Sequence, residues 1–165
     1  MDMTKNAQLA QEVGELLMQQ GKTMACAESC TGGGVAFCAT ENAGSSVWFE
    51  RGFVTYSNEA KQESLGVSLD TLTAFGAVSE AVVKEMAIGT LNNSYADISV
   101  SISGIAGPGR ATEGKLVGTV CFGFSDTTNW HQETTVYFTG DRSEVRRSAI
   151  EYAFLTIKNR LKNVF

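Results

Sequence analysis

A serine and a cysteine stand side by side where a short apolar stretch gives way to three glycines, and either side chain is a potential nucleophile. The pattern of residues 22–29 predicts a strand that ends at Ser29, and Cys30 and Thr31 then lead into glycines 32–34. A strand that feeds a glycine-rich turn and a helix presents several backbone N–H groups beside one side chain. The segment therefore fits three interpretations: a nucleophile with its oxyanion hole, a phosphate-binding turn, or a tight turn that serves packing only.

A serine hydroxyl is barely ionised at neutral pH, so Ser29 needs a base. The one histidine of the chain, His131, falls in a predicted late strand, and nothing in the sequence brings it near Ser29. Lys61 is the alternative base, because burial or a neighbouring positive charge lowers the pKa of a lysine. From the residues alone, a solvated helix lysine is the better interpretation of Lys61. Cys30 is the rival nucleophile, since a thiol near a helix N-terminus is partly ionised.

Two further segments carry possible ligand contacts. Residues 104–109 (GIAGPG) form a second glycine-rich loop after a predicted strand and hold the only proline of the chain. Arg142, Arg146 and Arg147 fall in the first turns of the predicted last helix, where cations oppose the helix dipole. That placement indicates an anionic partner, although exposed arginines are often without function.

Composition limits the class of protein. The chain has 165 residues, of which 43% are hydrophobic and 19% charged, so one globular domain over residues 1–165 is expected. The net charge of −5 argues against a general nucleic-acid binder. There is no apolar run long enough to span a membrane and no secretion signal, which predicts a cytoplasmic protein with reduced cysteines. The cysteine spacing fits no zinc pattern, so neither a metal nor a cofactor is expected.

The remaining periodicities predict about five strands and five helices, with a short helical turn at 67–75. The strands are predicted at 22–29, 52–57, 97–103, 117–124 and 130–138, and the helices at 5–20, 34–40, 58–65, 80–92 and from the capping box 141–144 onwards. Residues 47–49 form an aromatic knot, predicted as core. Isoleucine and valine alternate with serine over residues 98–103, which is typical of a half-buried strand.

This order predicts a three-layer α/β/α domain with a mixed, partly parallel sheet and an antiparallel hairpin at one side. If the strands that precede the two glycine-rich loops run parallel, both loops open at the carboxyl edge of the sheet, where ligands bind in such folds.

Five blocks, in order along the chain, resemble the CinA C-terminal domain family of nicotinamide mononucleotide deamidases. They are residues 27–33 (AESCTGG), 56–61 (YSNEAK) with 65–67, 76–79 (GAVS), 103–109 (SGIAGPG) with 117–120, and Gly140-Asp141-Arg142 with Arg146. The resemblance implies a three-layer α/β fold, a homodimer, and hydrolysis of the carboxamide of nicotinamide mononucleotide to nicotinate mononucleotide and ammonia.

The resemblance also implies roles for particular residues. Ser29 would be the nucleophile, Lys61 its base and Tyr56 a supporting group, and an arginine of the final helix would complete the site. Both Arg142 and Arg146 match the family's last motif and are expected contacts of the nucleotide, and we favour Arg142 slightly for the substrate role. The small-molecule nucleotide would then contact backbone groups of both glycine-rich loops; the expected residues are Thr31, Gly32, Gly33, Ala106, Gly107 and Gly109.

Two positions depart from the family pattern. Arg110 replaces a second glycine after Gly109, and Leu116 replaces the proline of the usual Lys-Pro pair. Both lie in the loop expected to border the ligand, and the family includes members without demonstrated deamidase activity. The sequence therefore leaves two alternatives open: a nucleotide-binding relative with weak or no turnover, and a cysteine hydrolase that uses Cys30.

Overall fold

Five strands form one mixed sheet in the computed structural model, which describes residues 1–109 and 114–163. The strands are β1 (Met24–Glu28), β2 (Phe49–Val54), β3 (Ile98–Gly104), β4 (Thr119–Asp126) and β5 (His131–Tyr137). Their order in the sheet is β2-β1-β3-β4-β5, with β1 parallel to both of its neighbours and with β4 and β5 antiparallel. The predicted mixed sheet with an antiparallel hairpin at one side is confirmed.

Helices cover both faces of this sheet. In the described part of the chain they are α1 (Thr4–Gln19), α2 (Gly34–Thr40), α3 (Asn58–Leu65), α4 (Leu69–Phe75), α5 (Glu80–Asn92) and α6 (Arg142–Lys162). Helices α1, α2 and α6 pack together on one face, and α3, α4 and α5 pack on the other, which confirms the three layers. The segment predicted as a short helical turn contains the helix α4. The Ser68 hydroxyl caps this helix by accepting a hydrogen bond from the Asp70 N–H.

Among the described residues, no helix combines the length and the apolar character needed to cross a bilayer.

Strand β2 begins three residues earlier than predicted, at Phe49 rather than at Gly52. The cause is the parallel pairing with β1, in which Met24 stands opposite Phe49. Of the predicted aromatic knot, Trp48 is in the core as expected, whereas Val47 is exposed. Pairing with a neighbouring strand has thus overridden the local boundary signal.

Strand β3 is buried on both faces, so the prediction of a half-buried strand was wrong. Helix α5 covers the serine face, where the Ser99 hydroxyl donates to the Ala87 carbonyl at 2.8 Å and the Ser101 hydroxyl to the Val83 carbonyl at 2.5 Å. Serine is small enough for the helix to lie close to the sheet, and each buried hydroxyl is satisfied by a helix carbonyl. Alternation of polar and apolar residues therefore did not indicate solvent here.

The carboxyl ends of β1 and β3 lie side by side, because these strands are parallel neighbours in register from Met24↔Ile98 to Glu28↔Ile102. The Ser29 turn and the loop that follows Gly104 consequently open at the same edge of the sheet. His131 lies at the opposite end, because it pairs with Ser125 at the start of β5. It is remote from Ser29, as expected.

Candidate active site

Lys61 and Ser29 are in direct contact. The Lys61 Nζ lies 3.1 Å from the Ser29 Oγ and 2.7 Å from the carbonyl oxygen of Thr55. Helix α3 carries Lys61, and the Ser57 hydroxyl fixes the start of that helix by accepting from the Ala60 N–H at 3.0 Å. The interpretation of Lys61 as a solvated lysine was wrong: its side chain is 1% exposed, because Leu65, one turn later, packs α3 against the core.

Burial sets the protonation of this lysine. It lowers the pKa of the Lys61 ammonium below its ordinary value, because the charged form loses its hydration. Among the described residues, no carboxylate lies within 4.0 Å of the Nζ to hold the proton there. Both features shift the equilibrium toward the neutral amine, which is the form that accepts a proton from a hydroxyl.

Cys30 differs from Ser29 in its electrostatics. Its side chain is buried within the core cluster, and burial raises the pKa of the thiol to about 12. The expectation of a partly ionised thiol was wrong, because loss of hydration outweighs the nearby positive charges of Arg146 and Lys61. Cys30 is thus a protonated core residue beside the serine.

Glu28 holds the turn after Ser29 from inside the protein. Its carboxylate is fully buried and accepts hydrogen bonds from the Val35 N–H at 2.8 Å and the Ala36 N–H at 3.2 Å, in the first turn of α2. Sequence reasoning missed this role. The signal that would have found it is an acidic residue at the end of an apolar strand, followed after a short glycine-rich turn by the start of a helix.

The turn itself uses some of its N–H groups and leaves others available. Gly32 and Gly33 have φ of +57° and +93°, a conformation that glycine adopts without steric cost. The Gly32 N–H donates to the Ser29 carbonyl at 3.0 Å, and the Gly34 N–H donates to the Thr31 carbonyl at 3.1 Å. Within the described residues, the N–H groups of Thr31 and Gly33 have no acceptor. Of the expected contacts in this turn, Thr31 and Gly33 therefore each keep an N–H group free for a ligand.

The two arginines of interest contact different loops. Arg146 donates from Nε to the Cys30 carbonyl and from Nη2 to the Thr31 carbonyl, both at 3.1 Å. Arg142 is exposed and donates from Nη1 to the Gly107 carbonyl at 2.7 Å. The structure therefore separates two residues that the sequence treated as alternatives for one task.

Tyr56 lies at the surface of the site. Its side chain is 64% exposed, and its hydroxyl accepts from the Arg142 Nη2 at 3.3 Å. Within the described part of the chain, that hydroxyl has no hydrogen bond to Ser29 or Lys61. The ring is thus available to a ligand that approaches Ser29 from solvent.

The second glycine-rich loop borders a cavity of about 460 Å³. Ala106 and Gly107 are buried, whereas Pro108 and Gly109 are exposed. The residues that line this cavity are Ala106, Pro108, Val117, Gly140, Asp141, Arg142 and Ser143. The predicted capping box is present, with the Asp141 carboxylate accepting from the Glu144 N–H at 2.9 Å. Among the described residues that line this cavity, Arg142 is the cation available to an anionic group.

The two departures from the family pattern have different outcomes. Arg110 lies outside the described residues. Leu116 is 65% exposed and is not among the residues that line the cavity. Its neighbour Lys115 holds this part of the loop by donating to the carbonyls of Phe75 and Val78.

The chain is similar to known proteins along most of its length. The model of the CinA C-terminal domain family matches residues 6–161. Nicotinamide-nucleotide amidohydrolase PncC of Escherichia coli strain K12 is 55% identical over 150 residues, which are 91% of each chain. The protein of the same name from Enterobacter agglomerans is 50% identical over 157 residues, 94% of this chain and 96% of that protein.

A solved structure gives the same fold. The crystal structure of competence damage-inducible protein A from Klebsiella pneumoniae superposes with a TM-score of 0.93 at 35% identity, and the match covers 97% of this chain and 99% of that one. The family model matches nearly the whole chain, and relatives at 50% identity or more match it along most of their own length. The chain belongs to the CinA C-terminal domain family.

Proposed function

We propose that this protein is an amidohydrolase that converts nicotinamide mononucleotide to nicotinate mononucleotide and ammonia. The relatives named nicotinamide-nucleotide amidohydrolase share 50–55% of their residues with it. The observation that carries the proposal is the 3.1 Å contact between the Lys61 amine and the Ser29 hydroxyl in a buried site that lowers the pKa of the amine. A hydroxyl beside a neutral base is what attack on an unreactive amide requires.

In the first half-reaction, the Ser29 Oγ attacks the carboxamide carbon while the Lys61 amine takes the hydroxyl proton. The carbonyl oxygen gains negative charge and is stabilised by the N–H groups of Thr31 and Gly33. Removing one such donor from an oxyanion hole typically reduces the rate about 100- to 1000-fold. The Lys61 ammonium then donates its proton to the departing nitrogen, which leaves as ammonia and gives an acyl-serine.

In the second half-reaction, the Lys61 amine takes a proton from water, which attacks the acyl carbon. Collapse of the second tetrahedral intermediate releases the pyridine carboxylate, and the proton on Lys61 returns to the Ser29 oxygen. The Thr55 carbonyl, 2.7 Å from the Nζ, keeps the amine directed at Ser29 through both steps. Water is the co-reactant, and the carboxylic acid that forms gives its proton to solvent, so that protons balance over both steps.

The remainder of the substrate would occupy the rim and the cavity. The nicotinamide ring of the mononucleotide is a cation, and the exposed face of Tyr56 suits it through a cation–π contact. The phosphate would pair with the Arg142 guanidinium, which is charge-assisted and directional. Backbone groups of the 105–109 loop would complete the contacts at the 460 Å³ cavity.

The cellular setting and the assembly are part of the proposal. A cytoplasmic location is supported by four free, buried cysteines. A homodimer is supported by the resemblance to the family and by exposed apolar side chains on α2 and on the edge strand β2, of which Phe37 is 53% and Val54 56% exposed. Sedimentation equilibrium gives the mass in solution, and a monomer at every concentration would contradict the dimer.

The test is an assay of ammonia release from nicotinamide mononucleotide, alongside nicotinamide riboside, free nicotinamide and the dinucleotide. We expect equal amounts of ammonia and nicotinate mononucleotide from the mononucleotide, much slower release from substrates without the phosphate, and release at least about 1000-fold slower with Ser29→Ala. If the wild-type protein binds the mononucleotide but releases no ammonia at high enzyme concentration, the chain is a nucleotide-binding relative without turnover.

A further inference from the structure

Helix α6 packs its first turns directly against the nucleophile turn. Arg146 and Ile150 lie one helical turn apart, and a Cβ added at Gly34 would lie 2.4 Å from the Ile150 Cδ1. The Arg146 guanidinium spans two consecutive carbonyls of the turn, those of Cys30 and Thr31. On the other side, Glu28 binds the N–H groups of Val35 and Ala36. The buried Glu28 and the half-buried Arg146 thus hold opposite ends of the same short segment.

Because a peptide unit is planar, the Arg146 contacts also determine the direction of a neighbouring N–H group. In a planar trans peptide, the N–H of one residue points opposite to the carbonyl of the residue before it. The Nε contact with the Cys30 carbonyl therefore fixes the direction of the Thr31 N–H. The next peptide plane is held twice, because the Thr31 carbonyl accepts from the Arg146 Nη2 and the Gly32 N–H donates to the Ser29 carbonyl.

We propose that Arg146 is a positioning residue for the oxyanion hole, rather than a ligand of the substrate. Resting on the proposed function, its task is to direct the Thr31 N–H at the developing oxyanion. The positive charge of Arg146 lies at the carbonyl end of the Cys30–Thr31 peptide and polarises it. This polarisation makes the Thr31 N–H a stronger hydrogen-bond donor. This assignment replaces the expectation that Arg146 contacts the nucleotide.

Arg142 provides the contrast within the same helix. It is exposed at the cavity and contacts the second loop, whereas Arg146 is partly buried against the first. A lysine at 146 has a single nitrogen and cannot reproduce the planar fork that reaches two carbonyls. A substrate arginine and a positioning arginine are therefore distinguishable by which kinetic constant each one changes.

The experiment measures kcat and KM for ammonia release with Arg146→Ala, Arg146→Lys and the comparison variant Arg142→Lys. For Arg146→Ala we expect kcat to fall about 100-fold, as for loss of one oxyanion donor, with KM for nicotinamide mononucleotide little changed. Arg146→Lys should remain well below wild type. Added guanidinium ion at millimolar concentration should restore a substantial part of kcat in Arg146→Ala and nothing in Arg142→Lys.

A second readout is independent of the natural substrate: the rate at which a fluorophosphonate labels Ser29, which requires the same base and the same N–H donors. We expect this rate to fall with kcat in both Arg146 variants and to keep its wild-type value in Arg147→Ala, because the Arg147 side chain has no hydrogen bond to either loop within the described residues. If wild type releases no ammonia while the labelling rates still differ in this way, the proposed function fails and the role of Arg146 stands.

Three outcomes would overturn the assignment. A raised KM with unchanged kcat would make Arg146 a substrate ligand. Unchanged labelling of Ser29 would show that the N–H donors do not depend on it. Failure of both Arg146 variants to fold, judged by their thermal unfolding, would make it a residue of stability only.

Discussion

The two glycine-rich loops share one edge of the sheet but are held very differently. The turn after Ser29 is anchored by Glu28 beneath, by Arg146 beside it and by two hydrogen bonds of its own. The loop after Gly104 is held by backbone hydrogen bonds of Ile105 with Thr119 and Gly118 and by the exposed Arg142, and it borders an open cavity. The difference matches two tasks, because bond cleavage requires a fixed geometry whereas substrate binding tolerates adjustment.

The difference between the two loops predicts a difference in enzyme kinetics. Contacts made only in the transition state change kcat, and contacts made equally in ground and transition states change KM. We therefore expect substitutions around the first loop to lower kcat and substitutions around the second to raise KM. Kinetic constants of single variants at each loop test this division.

The largest effect is expected from the neighbouring residues Ser29 and Cys30. Ser29→Ala removes the nucleophile, and we expect ammonia release to fall by at least about 1000-fold, to what binding and the oxyanion hole supply alone. Cys30→Ala is the matched control, since it removes a buried thiol whose pKa is about 12, and it should keep most of the activity. The opposite pattern, with Cys30→Ala inactive and Ser29→Ala active, would transfer the nucleophile to the thiol.

Sequence patterns were sufficient for the architecture and insufficient for the local electrostatics. The element order and the block resemblance predicted three layers and the meeting of the two glycine-rich loops, because both follow parallel strands. Burial of Lys61 was not predictable from residues 56–61, since it depends on where Leu65 and Val67 pack in the folded chain. The prediction for the serine face of β3 was wrong for a related reason: the preceding helix α5 packs on that face, and the alternation of serine with apolar residues does not reveal this packing.

The inferred roles of the arginines show the same limit. Arg142 and Arg146 have the same residue type, lie on the same helix and are four positions apart. Only the folded positions of Gly107 and Cys30 tell them apart, because each guanidinium contacts one of these carbonyls.

A smaller effect is expected at the second loop. Arg142→Ala should raise KM for nicotinamide mononucleotide about tenfold or more, the range expected for one hydrogen bond to a charged group, with a smaller change in kcat. Arg147→Ala is the control on the same helix, since no side-chain hydrogen bond of Arg147 to either loop occurs within the described residues. A fall in kcat with unchanged KM for Arg142→Ala would break the division between the loops.

The smallest effect is on stability. Lys61→Met replaces a buried amine with an apolar side chain of similar length, and we expect the free energy of unfolding to rise by about 1 kcal/mol at neutral pH, as is common when a strained functional group is removed. Chemical denaturation measures it. Burial lowers the pKa of folded Lys61 below 10.5, so the unfolded chain binds more protons at pH values between the folded-state pKa and 10.5. The free energy of unfolding of the wild type therefore rises with pH in that range.

The advantage of Lys61→Met over wild type should therefore shrink as pH approaches 10.5. Lys61→Gln serves as the control, since it keeps a polar group that can bond to the Thr55 carbonyl without titrating. A pH-independent difference between wild type and Lys61→Met would show that burial does not perturb the amine.

The most direct test is the pH dependence of kcat/KM for ammonia release by wild type and by Lys61→Arg. We predict that kcat/KM of the wild type rises with pH as the lysine loses its proton and reaches a plateau. The apparent pKa of this rise should lie below 10.5, the ordinary pKa of a lysine. Lys61→Arg should be nearly inactive at every pH, because a guanidinium stays protonated. Wild-type turnover in Lys61→Arg, with the same pH profile, would contradict the assignment of Lys61 as the base for Ser29.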